Sequence, residues 1–176
     1  MNLELYLSHM WNHRPLVLMV GEAPGYRGSA LTGVPFASEH TLMSADSPSR
    51  FLRTVDGFQR IPSSAGPLKK ESTSSVIWTE LDQLEKLPIL WAAYPHHPHR
   101  PGLVKSNRMP GAEETSQGRA IINELVQSYK VQHIVALGNV AASVLVDNVR
   151  FRGKIRHPAH GGIPVFRNQC RSLAAL

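Results

Sequence analysis

Apolar residues occur in this chain in two patterns: short unbroken runs, and stripes of helical period. The run Leu16-Val17-Leu18-Met19-Val20 is too short for a helix and has no polar side. Such a run reads as a strand buried on both faces of a parallel sheet, which places the first strand at residues 15–20. Ile89-Leu90-Trp91-Ala92-Ala93-Tyr94 reads as the second strand, residues 131–137 as the third, and 154–157 as the fourth or its approach. Between them lie helical stripes. Leu3, Leu5, Leu7, Met10 and Trp11 suggest a short amino-terminal helix of mixed periodicity. Residues 49–55 form a short helix candidate behind Ser47-Pro48. Val76, Ile77, Leu81, Leu84 and Leu87 predict a helix from Ser72 to about residue 86, with Pro88 either ending it or beginning the next element. Glu113 and Glu114 open another, whose core face is Ile122, Leu125, Val126 and Tyr129. Residues 140–146 and 167–176 complete the helices, and 57–71 reads as a surface loop. Strand alternating with helix predicts a three-layer α/β sandwich with a parallel sheet, built as one domain over residues 1–176.

Composition narrows the partner. The 176 residues carry 19 Lys+Arg against 13 Asp+Glu, a net charge of +6, which favours a polyanion, nucleic acid foremost. Cys170 is the only cysteine, so an internal disulfide and an all-cysteine cluster are excluded, and a cytoplasmic setting is expected. No signal peptide and no membrane-spanning segment are expected either.

The candidate chemistry gathers on the turns that follow the strands. The first is Gly21-Glu22-Ala23-Pro24-Gly25-Tyr26-Arg27-Gly28, continuing to Gly33-Val34-Pro35-Phe36. A turn that leaves a parallel strand at its carboxyl end arrives where open α/β sheets bind ligands. The glycines give room for backbone amides to approach one. The spacing matches neither G-x-G-x-x-G nor a P-loop, so dinucleotides and nucleoside triphosphates lose ground. No G-x-S-x-G elbow supports a serine hydrolase. His96, His97 and His99 form one histidine-dense turn, His157 and His160 another, at spacings that fit no specific zinc pattern. We expect no metal and no cofactor. Arg150, Arg152, Lys154 and Arg156 recur with period two, which on a strand gives one cationic face. Arg100, Lys105 and Arg108 flank the first histidine turn. Together they suggest a groove that tracks phosphates, with a solvated cationic face as the competing reading.

Two of these stretches resemble motifs of the uracil-DNA glycosylase superfamily. Gly21-Glu22-Ala23-Pro24-Gly25 with Gly33-Val34-Pro35-Phe36 resembles the first motif, and His157-Pro158-Ala159-His160-Gly161-Gly162 the second. Residues 91–102 are similar to a bacterial branch that carries Trp-Asn-Ala-Phe-Pro before a histidine-proline turn. The resemblance runs over about residues 15–167 and implies a central four-stranded parallel sheet between helices. It implies a monomeric, monofunctional DNA glycosylase that flips uracil or another deaminated base out of DNA and leaves an abasic site. Phe36 would stack on the base, amides of Gly21, Ala23, Pro24's neighbours and Gly25 would meet its carbonyls, and Tyr26 would wall its far side. His157 would stabilise the departing base. Pro158, Ala159, His160, Gly161 and Gly162 would press into the minor groove, with Arg156 and Arg167 near phosphates.

The chain departs from the family pattern in three places. Relatives with this first motif hold an iron–sulfur cluster on four cysteines, and here there is one. The water-positioning Asp or Asn of the best-known members is Ala23 here, which leaves Glu22 as the acid of the loop, either water activator or brace. The Asn that reads the uracil edge is Ala92. Three explanations fit Ala92: preference for another base such as hypoxanthine or xanthine, reading by a nearby histidine, or an engineered Asn-to-Ala change. The alternative function is a weak or inactive nucleic-acid or nucleobase-binding module on the same fold.

Overall fold

The computed structural model of the chain describes residues 1–61 and 66–176. Four parallel strands, β1 (Val17–Gly21), β2 (Ile89–Ala92), β3 (His133–Leu137) and β4 (Phe151–Ile155), form one sheet in the order β2-β1-β3-β4. Helices cover both faces. They are α1 (Asn2–His13), α2 (Ser29–Thr32), α3 (Glu39–Met43), α4 (Arg50–Arg53), α5 (Ser72–Leu81), α6 (Ala112–Ser128), α7 (Asn139–Leu145) and α8 (Ile163–Arg171), followed by a 3-10 turn, Ser172–Ala175. β1 is buried at every position, as its unbroken apolar sequence requires. The three-layer parallel α/β architecture read from the sequence is the observed one.

β2 is an edge strand, and α1 covers it. The buried Tyr6 hydroxyl accepts a hydrogen bond from the Leu90 amide at 2.8 Å, which satisfies a donor that the sheet leaves open. α6 closes on the other end of β2 through a glycine. A Cβ on Gly118 would stand 1.8 Å from the Ala93 carbonyl oxygen. Helix propensity alone favours alanine at such a site by about 1 kcal/mol. The clash decides the sign, so Gly118→Ala is expected to destabilise by about 1–3 kcal/mol, read as a fall in Tm with the near-neighbour Ala120→Gly as reference. A rise in Tm would show that α6 does not rest on the β2 backbone.

Three elements differ from the sequence reading. α5 stops at Leu81, short of residue 86. Asp82 turns away to cap α4, accepting from the Arg50 amide at 2.6 Å and from Arg50 Nε at 3.1 Å, so a contact 32 residues distant ends the helix. The fourth strand lies earlier, at Phe151–Ile155. It bulges at Gly153, whose φ is 127°: Ile134 pairs with Phe151, but Ala136 pairs with Lys154. The extra residue shifts the side-chain alternation. The four cations therefore do not form one row. Arg152 reaches His133 Nδ1 at the start of β3, whereas Lys154 reaches Asn139 Oδ1 at its far end. The final helix begins at Ile163, α2 falls within the stretch read as the glycine loop, and α3 lies where no element was read. Of the 57–71 loop, residues 62–65 lie outside the described residues.

Candidate active site

The parallel register pairs Gly21 with Ala92, so the turns after β1 and β2 leave the sheet side by side. The Ala93 amide donates to Gly21 O at 2.8 Å and the Tyr94 amide to Glu22 O at 3.1 Å, which carries the pairing into the loops. Two glycines of the first turn are approached by side chains rather than by a ligand: the Phe36 ring requires the one at Gly21, whereas Glu71 reaches Gly28 with the movable end of its side chain. A Cβ on Gly21 would lie 2.2 Å from Phe36 Cζ, and one on Gly28 would lie 2.0 Å from Glu71 Oε2. The turn winds on itself, with the Gly28 and Ala30 amides both donating to Gly25 O. The Tyr26 amide donates to Asn107 Oδ1 at 3.1 Å. Among the described residues the amides of Glu22, Ala23, Gly25 and Arg27 have no partner, so these are the donors of the loop that remain for a ligand.

Phe36 holds a left-handed backbone, with φ 56°, which is rare for a bulky side chain. Trp78 Nε1 donates to its carbonyl at 3.2 Å and Thr32 Oγ1 to the next one, Ala37 O, at 2.7 Å, so the surroundings fix the strained residue. Such over-determined strain concentrates at ligand sites. The ring occupies the space on the Gly21 side of the sheet, and Ala92, as the strand partner of Gly21, faces the same way. Ala23, Pro24, Phe36, Ala92 and His97 line a cleft of about 890 Å³, ample for a nucleobase. Gly21, Glu22, Gly25, Tyr26 and His157 stand outside its lining.

Glu22 is half-buried, its carboxylate makes no hydrogen bond among the described residues, and burial raises its pKa. His157 follows β4, and its Cβ lies 3.6 Å from the position of a Cβ on Gly138, at the end of β3. The Ala159 amide donates to His157 Nδ1 at 3.1 Å. Burial, then the charges of Arg156 and His160, lower the pKa of the ring. The lowered pKa favours the neutral ring, and the amide on Nδ1 puts its proton on Nε2, which is left as a hydrogen-bond donor. The second turn is tightly wound: the Gly162 amide donates to Ala159 O, and a Cβ on Gly162 would lie 2.0 Å from His157 O. Pro158 and Gly162 are buried, while His160 and Gly161 are exposed.

Not all the predicted DNA-facing cations are free. Arg108 pairs with Glu114 through both nitrogens, at 2.6 and 2.7 Å, and also bonds His99 O and Met109 O. This guanidinium, with the Gly111 amide, pushes the Glu114 carboxyl down to about 2, and that carboxylate caps α6 by accepting from the Gly111 amide. Arg167 pairs with Glu80 at 2.7 Å. Arg156 is exposed, with one long contact of 3.4 Å to His160 O. Arg100 and Lys105 are exposed, and among the described residues neither side chain has an anionic partner. Cys170 is buried and its thiol is pushed up to about 12, which removes it as a nucleophile. Among the described residues the histidines do not converge with other ligating side chains to hold a metal.

Sequence reasoning missed Glu71 and Asn107. Both meet the glycine turn, 3.8 Å from the position of a Cβ on Gly25, and burial raises the Glu71 pKa. Nothing local marks them, because each acts on a loop more than 40 residues away in the chain.

A flat aromatic ring, free loop amides and a neutral imidazole on the carboxyl-edge turns of one parallel sheet suit recognition of a flat, carbonyl-bearing heterocycle. The model of the Uracil DNA glycosylase superfamily matches residues 10–168, and the chain belongs to that superfamily. None of the curated proteins matches it. Membership suggests a DNA glycosylase, a hydrolase of DNA repair. Among the described residues no helix is long and apolar enough to cross a membrane.

Proposed function

We propose that the protein is a monofunctional DNA glycosylase that hydrolyses the bond between a deaminated base and deoxyribose, leaving an abasic site. The observation that carries this is the tautomer of His157: the Ala159 amide on Nδ1 leaves Nε2–H as a donor that is free among the described residues, on a ring whose pKa burial lowers. As the glycosidic bond breaks, its electron pair goes to the base, and negative charge grows on the base carbonyls. A positioned donor stabilises that charge more than it stabilises the neutral ground state. Phe36 stacks on the flipped base, and the amides of Ala23 and Gly25 donate to its carbonyls. Water attacks the sugar carbon, Glu22 takes the proton, and the free base leaves. No lysine stands in either motif to form a Schiff base, so hydrolysis ends at the abasic site. The test is an abasic-site assay on duplexes and single strands, each carrying one uracil, hypoxanthine or xanthine.

Glu22 gives a second check. Its raised pKa puts the acid limb of the rate profile above the usual carboxylate value of 4.5. The folded state holds that proton more tightly than the unfolded chain. Ionisation therefore disfavours folding at neutral pH, and the penalty disappears as pH falls below the unfolded value. Glu22→Gln is expected to raise Tm at pH 7, to lose that advantage in acid, and to lower base release. A variant with full activity and an unchanged acid limb would make Glu22 a brace and not the water activator.

One observation favours a second reading. Ala23 and Ala92 supply no side-chain hydrogen bond where a base edge would be read, as in a module that binds without turnover. Salt-sensitive DNA binding with no base release over hours would select it.

A further inference from the structure

His97 is half-buried on the cleft wall, with both ring nitrogens against backbone carbonyls. Nδ1 lies 2.8 Å from Pro24 O and Nε2 3.1 Å from Val104 O. A carbonyl oxygen only accepts, and a neutral imidazole carries one N–H. The neutral ring therefore makes one of these bonds and sets a lone pair against the other carbonyl. The imidazolium makes both, and each is then charge-assisted. The far anchor is firmly built. Arg100 and Leu103 form an antiparallel bridge, Ser106 Oγ accepts from the Arg100 amide and donates to Leu103 O, and the Arg108 amide donates to Pro98 O.

The near anchor is a peptide unit of the glycine loop. Pro24 C=O and Gly25 N–H belong to one plane, so a hold on the oxygen fixes the direction of the N–H. The next carbonyl is held as well, because Gly25 O accepts from the Gly28 and Ala30 amides. The Tyr26 amide that follows donates to Asn107 Oδ1. The Gly25 N–H is thus open among the described residues, while the groups on each side of it are fixed. A cation on Pro24 O also polarises the peptide and strengthens that N–H as a donor.

We propose that His97, as an imidazolium, clamps the Pro24 carbonyl and so holds and strengthens the Gly25 amide as a donor to the base in the cleft. His97 is a positioning residue, which acts through Gly25 and not by touching the base. The inference rests on the reading above, in which that amide meets a base carbonyl. The clamp serves the transition state more than binding, because the donor matters most once the base carries negative charge. On its own turn His99, 5.6 Å away between ring centroids, opposes the charge on His97, as do Arg100 and Lys105. Glu22 on the glycine loop and Glu71 against Gly25 favour it, and Arg60 and Glu124 line the same cleft.

The test follows base release at saturating DNA across pH in the wild type and in His97→Gln. Glutamine keeps a donor for one carbonyl but carries no charge. Ring nitrogen resonances of His97 and the amide resonance of Gly25 are recorded over the same pH series, which needs no catalysis. The wild-type single-turnover rate is expected to fall about tenfold as the His97 ring loses its proton, the scale of one charge-assisted bond. The Gly25 amide resonance moves with the same midpoint. His97→Gln holds the lower rate throughout and lacks that step, with Tm and DNA affinity close to the wild type. A His97→Gln pH profile like that of the wild type, or a Gly25 resonance that ignores the His97 titration, overturns the assignment. If the wild type releases no base, but the Gly25 amide follows His97 and moves again on adding free uracil or hypoxanthine, the glycosylase reading fails and the clamp stands. If it releases no base and the Gly25 amide responds to neither, both fail.

Discussion

His157→Ala is expected to slow base release by about 10²–10³-fold, the range seen when one preorganised oxyanion donor is removed. The loss should fall on the single-turnover rate and leave DNA affinity nearly unchanged. The reason is the timing of the charge. Before the bond breaks, the base is neutral and a donor near its carbonyl adds little. After it breaks, the base is an anion, and the same donor is strongly favourable in a site with little water. The two residues that follow His157 do not replace it, because Pro158 has no N–H and the Ala159 amide is already directed at the imidazole. Exposed His160 serves as the control: His160→Ala removes a ring from the same turn without the buried, neutral donor. A His157→Ala rate within about threefold of the wild type, well short of the loss a charge-stabilising donor entails, would end the assignment.

How much of this was legible in the sequence depends on whether the cause was local. β1 and its glycine turn were readable, because five apolar residues before Gly21 leave few options. The place of that turn at the carboxyl edge was readable as well, since strand ends dictate where loops arrive. β4 was not. Its Phe-Arg-Gly-Lys-Ile sequence has one burial partner in five, and the Gly153 bulge breaks the alternation that would have marked it. The end of α5 was hidden for a different reason: the apolar period continues to Leu84 and Leu87, but Asp82 is needed at Arg50. Charge was the least readable property. Arg108 and Arg100 look alike in the sequence, yet among the described residues one is spent on Glu114, the residue that caps α6, and the other has no anionic partner. Only the fold tells them apart, because an ion pair is a three-dimensional fact. The glycines were read as room for a ligand, and at Gly21 and Gly28 that room is filled by Phe36 and Glu71. The inference of close approach was sound, but the approaching group was the protein itself.

Ala92→Asn is expected to raise uracil release by about 5–100-fold, because two added hydrogen bonds contribute about 1–3 kcal/mol together. The geometry behind this is the strand pairing. Ala92 is the partner of Gly21, and the Phe36 ring fills the side of Gly21 toward which Ala92 points. A side chain at 92 therefore rises beside a base stacked on Phe36, at its edge. An Asn amide there presents an acceptor for uracil N3–H and a donor for O4, the pattern that the alanine methyl lacks. The position is half-buried on the wall of the cleft, so the longer side chain enters open space and not packed core. The same amide takes up part of the room that a purine needs. Release of hypoxanthine or xanthine is thus expected to fall in the variant if the wild type is a purine-base enzyme. The two substrates separate the explanations for Ala92. A gain on uracil from a nearly inactive wild type marks a reading position that has lost its amide. A loss on hypoxanthine from an active wild type marks a site shaped for the larger base. Unchanged rates on both would mean that position 92 does not touch the base, and the reading group would then be sought at His96 or His97, on the same cleft wall.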